Sequence, residues 1–235
     1  MAALQSGSED LKDIIRKVRA KLADKHAHEM EHWDMQHAKE GLFKNDWYVG
    51  YMLAMAGEDS PDFVENLTVA DFGCGPRGSL NWAAEARATA IGLDVLIPTY
   101  ADTYPDDIRS HGMIYVTATE NVIPLPTDAV DIMYTMNALD HVQNLQVMCD
   151  ELCRVIKPGG KLFASFNLNE PPTPAEPHEL TEAKLDQVLL GRFESHSRRF
   201  GRAVEGKAHY SEMLDGTSTY SDDEEGYMWF SGTLK

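Results

Sequence analysis

The stretch Val69-Ala70-Asp71-Phe72-Gly73-Cys74-Gly75-Pro76-Arg77-Gly78 constrains this chain more than any other, because an apolar run there ends in a carboxylate and three glycines. The apolar run predicts a buried strand, and the glycines predict a tight turn that opens a helix. Glycine at 73, 75 and 78 lets the backbone take positive φ and leaves no Cβ between the chain and a ligand lying on it. Strand, glycine turn and helix form the first half of a βαβ unit.

The spacing also fits the dinucleotide-binding fingerprint, so the loop by itself leaves the ligand open. Charge separates the alternatives. A pyrophosphate favours bare N–H groups at a helix N-terminus, and Asp71, two residues before the first glycine, would repel it. The segment Asp71 to Gly78 resembles motif I of the class I S-adenosylmethionine-dependent methyltransferases, whose donor carries a sulfonium and an ammonium and no phosphate.

Later segments extend the resemblance from about residue 66 to 168. Ala90-Ile91-Gly92-Leu93-Asp94 reads as a second strand with a terminal acid 23 residues after Asp71, a βαβ spacing; an acid there suits the ribose of either cofactor. Met113 to Val116 is a short apolar run, followed by Thr117-Ala118-Thr119-Glu120 and a proline-containing loop. This is similar to the family's adenine-edging segment, although many relatives carry Asp where this chain has Ala118. Val130 to Met136 reads as a buried strand that delivers Asn137-Ala138-Leu139-Asp140-His141 to its carboxyl end. Leu145, Met148, Cys149, Leu152, Val155 and Ile156 repeat at helical spacing, Lys157-Pro158-Gly159-Gly160 stops that helix, and Lys161 to Phe166 is the next strand. Leu180 to Leu190 reads as a helix, and Glu194 to Val204 and Tyr227 to Leu234 as the closing strands.

The resemblance implies an α/β, doubly wound, mostly parallel seven-stranded sheet in the order 3-2-1-4-5-7-6 with strand 7 antiparallel, residues 63–235 forming the Rossmann-like domain and 1–62 an N-terminal helical lid. It implies S-adenosyl-L-methionine as cofactor and S-adenosyl-L-homocysteine as product, held by Asp71, Gly73, Cys74, Gly75, Asp94, Val95, Thr119, Glu120 and Asn137. Methyl transfer is an in-line displacement in which the protein supplies mainly alignment and exclusion of water. His141 is the leading candidate base, since it follows the strand whose end faces the methyl group and imidazole suits proton transfer near neutrality. Asp140 would orient it, and Asn137 would line the methyl site. Trp33, His37, Trp47 and Tyr48 in the aromatic-rich N-terminal segment, and His178 with Glu176 in the proline-dense stretch 171–178, are candidates for the acceptor pocket. Core packing or a plain connector competes with each of these readings.

A formal charge of −17 weighs against nucleic acid, and residues 46–170 alone hold 18 acids and 6 bases, so the excess lies in the proposed core and not in a tail. Lys12, Arg16, Lys17, Arg19, Lys21 and Lys25 alternate with acids and read as a solvated helix face, while Leu11, Ile14, Ile15, Val18 and Leu22 form an apolar stripe for the sheet or a second subunit. With no run of membrane-spanning length and no signal-peptide pattern at the start, a cytoplasmic monomer or homodimer acting on a small molecule is expected. Cys74, Cys149 and Cys153 make no disulfide framework; the last two fall on the helix's buried stripe and read as packing residues, with a metal or redox pair as the alternative.

His28-Glu29-Met30-Glu31-His32 fits the zinc-protease pattern of two histidines one helical turn apart, with His37 or Asp34 as a third ligand. The surrounding chain supplies no protease architecture, and no metal is expected. A nicotinamide-dependent oxidoreductase is the rival enzyme class, weakened by Asp71 and by the lack of a Tyr/Lys pair at helical spacing. A catalytically silent relative is the third reading.

Overall fold

The computed structural model describes residues 2–202, 210–222 and 224–235, and for residues 2–15 and Arg19 the backbone alone. In chain order the elements are α1 (Ala2–Glu40), α2 (Tyr48–Ala56), β1 (Thr68–Phe72), α3 (Asn81–Glu85), β2 (Thr89–Asp94), α4 (Ile97–Thr103) and α5 (Pro105–Ser110). Then follow β3 (Ile114–Thr117), β4 (Val130–Met136), α6 (Leu145–Val155), β5 (Ile156–Leu168), α7 (Glu182–Val188), β6 (Phe193–Gly201), α8 (Ser211–Asp215) and β7 (Gly226–Leu234).

The strands form one sheet in the order β3-β2-β1-β4-β5-β7-β6. The pairs from β3 through β5 are parallel, and β7 runs antiparallel to both β5 and β6. Alternation along each strand sorts its side chains between two cores. Ala70, Phe72 and Met133 meet the α6 stripe on one face, and Val69, Ile132 and Tyr134 meet Met52, Met55 and Trp82 of α2 and α3 on the other. Strands covered on both faces carry the near-continuous apolar runs seen in the sequence.

Helix α6 follows its pattern. Asn144 caps it by accepting from Val147 N, and Leu145, Met148, Cys149, Leu152 and Val155 are all buried. Cys149 is fully buried and Cys153 half-buried, both as free thiols. The helix ends at Val155, but Lys157 to Gly160 belong to an irregular opening of β5, where the register with β4 shifts between Val130 and Ile132. The helix expected directly after the glycine turn is shorter and later than the motif suggests, because the turn occupies residues 73–80 and α3 has five residues.

Ala203 and Val204 of the closing strands, and the side chains of Leu11, Lys12, Ile14, Ile15 and Arg19, lie outside the described residues. Of the basic face, Lys21 is exposed as expected, whereas Lys25 is buried. Among the described residues no helix is long and apolar enough to cross a membrane.

Candidate active site

A cavity of about 200 Å³ opens at the carboxyl ends of β1, β2 and β4, where an open parallel sheet places its ligands. Asp71, Gly73, Cys74, Asp94, Val95, Glu120, Asn137 and His141 line it, together with Trp33 and Tyr48 from the N-terminal segment. Thus most of the residues expected at the donor site come together. Of the other two, Gly75 sits behind the wall, its N–H bonded to Asp94 and its Cα packed under the Trp33 ring. Thr119 is exposed and caps the turn that carries Glu120 by accepting from Val122 N at 3.0 Å.

The backbone of the glycine turn is already committed. Gly73 N and Cys74 N donate to Leu93 O at 2.8 and 3.3 Å, and Gly75 N donates to Asp94 Oδ2 at 3.1 Å. Three N–H groups that could cradle a pyrophosphate therefore have acceptors within the protein. Gly73 has φ +74°, and a Cβ there would fall 2.3 Å from Ala138 Cβ. Gly73→Ala is expected to cost about 2–4 kcal/mol by urea unfolding, from left-handed strain and overpacking combined. Adding Ala138→Gly should recover the steric part; an unchanged midpoint for the single variant would show that the two loops separate without cost.

Two carboxylates face the cavity under unusual constraint. Asp71 is buried, its Oδ2 accepts from Ser79 Oγ at 2.5 Å, and its Oδ1 has no hydrogen-bond partner among the described residues. Burial pushes its pKa up to about 7, with the neighbouring Asp94 charge acting the same way and Ser79 opposing. Burial likewise raises Asp94 to about 6, against the N–H groups of Leu96 and Gly75. A cation seated between them would supply what both lack.

Of the wall that α1 supplies, the sequence pointed to Trp33 alone and not to Lys25, His26 or Glu29. Lys25, Glu29 and Trp33 recur at i, i+4 and i+8, one helix stripe, and with His26 they line the cavity. Lys25 Nζ and His26 Nε2 each stand 3.4 Å from Glu120 Oε1, and Trp33 Nε1 donates to Glu29 at 2.8 Å. Lys25 is thus a pocket residue and not part of the solvated face, and Glu120 is a half-buried, ion-paired group. The i, i+4, i+8 spacing of Lys25, Glu29 and Trp33 marks one stripe of α1, and the zinc-protease histidines His28 and His32 lie on another. His28 pairs with Glu31 on the surface, while Asp34 accepts from Tyr104 Oη.

A second cleft of about 550 Å³ adjoins the first and shares Trp33, Tyr48, Met136 and Asn137 with it. Its other walls are His32, Gln36, Trp47, Tyr51, Arg77 and Tyr210. Arg77 forks onto Glu40 at 2.8 and 2.6 Å with its guanidinium against Trp33 and Phe43, which clamps the end of α1 to the glycine turn and holds the Glu40 carboxyl down to about 2. Asn137, at φ +49°, donates to Tyr210 Oη at 2.5 Å and accepts from Ser165 Oγ at 2.8 Å. Tyr210 and Ser165 were not foreseen, because neither lies in a motif.

Three acceptor-pocket candidates, His37, His178 and Glu176, line neither cleft. His37 bonds Asp107 at 3.0 Å and packs among Phe43 and Tyr104, joining α1 to α5. His178 is half-buried, its ring held against the backbone of Val142 and Gln143, and burial lowers its pKa; it lines neither cleft. Asp140 is buried behind His141, with Oδ1 3.9 Å from His141 Nε2, and Glu176 Oε1 lies 3.6 Å from the same nitrogen.

A family model described as a methyltransferase domain matches residues 70–164, the span of the donor cavity's strands. Over that span the chain is similar to methyltransferase domains. An uncharacterized methyltransferase of Mycobacterium bovis is 27% identical over 174 residues, which cover 71% of this chain and 61% of that protein. The chain thus spans less than two thirds of that relative's length. An S-adenosylmethionine-dependent methyltransferase from Mesorhizobium loti superposes with a TM-score of 0.57 at 18% identity, covering 77% of this chain and 95% of the other. The 1,6-didemethyltoxoflavin-N1-methyltransferase of Burkholderia thailandensis, solved with its acceptor and S-adenosylhomocysteine, gives 0.58 at 12% identity and covers 93% and 87%. S-adenosyl-L-methionine, the donor named for the Mesorhizobium loti structure, is cationic at sulfur and at its amino group. Its charge is complementary to a cavity whose walls carry Asp71, Asp94, Glu29 and Glu120, with Asp71 Oδ1 lacking a hydrogen-bond partner among the described residues.

Proposed function

We propose that this protein transfers the methyl group of S-adenosylmethionine by in-line displacement to an oxygen or nitrogen of a small molecule. The observation that carries the reading is the shared wall: Trp33, Tyr48, Met136 and Asn137 border both clefts, so an acceptor in the aromatic cleft meets the donor at the end of β4. The donor supplies an electrophilic carbon; the protein aligns and desolvates it. Asp71 and Asp94 hold the donor's ammonium and ribose, and Asn137, tied to Ser165 and Tyr210, fixes the junction. His141, exposed into the donor cavity with Asp140 behind it, takes the acceptor's proton. Residues 1–62 act as lid and acceptor wall to the domain at 63–235, with Trp33, Trp47 and Tyr48 as its contact surface. The 1,6-didemethyltoxoflavin named for the Burkholderia thailandensis structure supports a small-molecule substrate, as does the chain's excess of acids over bases. We also propose that the protein acts in the cytoplasm, without nucleic acid or membrane, as a monomer or homodimer.

Calorimetry with S-adenosylmethionine, S-adenosylhomocysteine and NADH, followed by a methyl-release screen over acceptors, tests this reading. The first two should bind and NADH should not; the reverse order would assign the cavity to a nicotinamide nucleotide. Binding should also be linked to protons. Without ligand, the raised values of Asp71 and Asp94 mean the folded state holds protons that the unfolded chain has released, so their effect on stability declines as pH rises from about 4 toward 7. A cationic donor favours the ionised carboxylates. Its affinity should therefore rise from pH 5.5 to 7.5, with proton release seen as a buffer-dependent heat near pH 6.5; a flat profile would show that neither carboxylate meets the donor's charge.

A further inference from the structure

The loop after β5 brings Glu176 to the Asp140-His141 pair, 35 residues upstream in sequence, so that each of the three side chains offers one ligand atom within 4.8 Å of the other two; Asp140 Oδ1 and Glu176 Oε1 lie 3.9 and 3.6 Å from His141 Nε2. The separations from Nε2, 3.9 and 3.6 Å, are too long for hydrogen bonds, so the imidazole satisfies neither carboxylate directly. They lie slightly above the roughly 3.4 Å expected between two ligands of one first-row ion, each about 2.1 Å from it at a tetrahedral angle. A second observation points to a missing positive partner. Asp140 is 4% exposed, and its Oδ1 has no hydrogen-bond partner among the described residues; the Oδ1 of Asn167, whose amide faces Asp140 Oδ2, lacks one too. Such a group costs free energy unless something satisfies it.

Glu176 is also set in place. Thr173 N donates to Glu176 O, Glu176 N donates to Thr173 Oγ1, and that hydroxyl lies 3.2 Å from Glu176 Oε2, leaving Oε1 toward His141. Prolines at 171, 172, 174 and 177 stiffen the loop around this turn.

We propose that Asp140, His141 and Glu176 form a three-ligand site for a divalent first-row transition ion, at the edge of the donor cavity that His141 lines. One imidazole and two carboxylates suit Mn²⁺ or Zn²⁺, whereas Mg²⁺ gains little from the nitrogen. A hydroxyl or carboxylate oxygen of the acceptor would complete the ion's coordination from the cavity side, which His141 lines. A bound ion would lower the pKa of a coordinated acceptor hydroxyl so that its proton passes to solvent, and His141, then a ligand through Nε2, would serve as base only in the ion-free protein. The binding claim goes beyond the methyl-transfer reading and is tested without it.

Metal-free full-length chain is titrated with Mn²⁺ while the electron paramagnetic resonance signal of the free aquo ion is followed, with Zn²⁺ as competitor. One ion per chain is expected, displaced by Zn²⁺ and not by equimolar Mg²⁺. Glu176→Gln and His141→Gln should each weaken it at least tenfold, and His28→Gln, which breaks the histidine pair on α1, should not change it. Circular dichroism melts establish that the variants fold. Thr173→Ala keeps all three ligands but frees the Glu176 carboxylate, and should weaken binding several-fold. Absence of stoichiometric binding in the wild-type chain, unchanged affinity in both ligand variants, or loss in His28→Gln would each overturn the site. S-adenosylhomocysteine binding, measured in parallel, bears on the methyl-transfer reading alone.

Discussion

Asp94→Ala is expected to weaken S-adenosylhomocysteine binding by two to four orders of magnitude while leaving the fold intact. The side chain does two things at once. It anchors the glycine turn by accepting from Gly75 N at 3.1 Å and from Leu96 N at 2.9 Å, and it presents a carboxylate to the cavity. Hydrogen bonds to a charged group contribute about 1.5–3 kcal/mol each, and a bidentate contact to ribose would lose two. Asparagine is no substitute, because its amide turns a donor toward one of the two N–H groups. Global stability should fall much less at pH 8, since the variant also removes a charge that burial disfavours. Calorimetry of the variant at matched pH reads the result directly; affinity within threefold of wild type would mean that Asp94 only shapes the turn.

The second large effect falls on turnover. His141→Ala should lower kcat by about 10²–10⁴, the usual range for a positioned acid or base, with donor affinity changed less than threefold. The imidazole is about one third exposed and borders the proposed donor cavity. Asp140→Asn should fall between wild type and His141→Ala, since Asp140 acts through its neighbour. The assay uses the acceptor found by methyl-release screening, with donor affinity from calorimetry. Unchanged turnover would remove His141 from the reaction and leave alignment as the sole contribution.

Much of the scaffold could be read from local pattern. Apolar runs at 69–72, 90–93 and 130–136 became strands because both faces of each are covered, and the stripe through Leu145, Met148, Cys149 and Leu152 became α6 because it repeats at the helical period. Asp71 and Asp94 came from spacing and charge, and the structure sets both on the cavity. The reading was weaker wherever a residue's role depends on what lies opposite it. His37 and Trp33 occupy the same aromatic segment and look equivalent in sequence, yet one joins α1 to Asp107 and the other borders both clefts. Lys25 looked like one of several solvated bases until its partner, Glu120, came within 3.4 Å. Tyr210 and Ser165 gave no local sign at all, because their meeting with Asn137 spans 73 and 28 residues.

The sequence by itself determined the order and type of the core elements and the acidic glycine turn, because periodicity, glycine placement and charge act within a few residues along the chain. Only the tertiary structure decided which face of α1 lines the first cavity, that a second aromatic cleft adjoins it, and that Glu176 returns to Asp140 and His141. Those contacts join segments tens of residues apart, where packing against a distant surface, and not local preference, selects the neighbour.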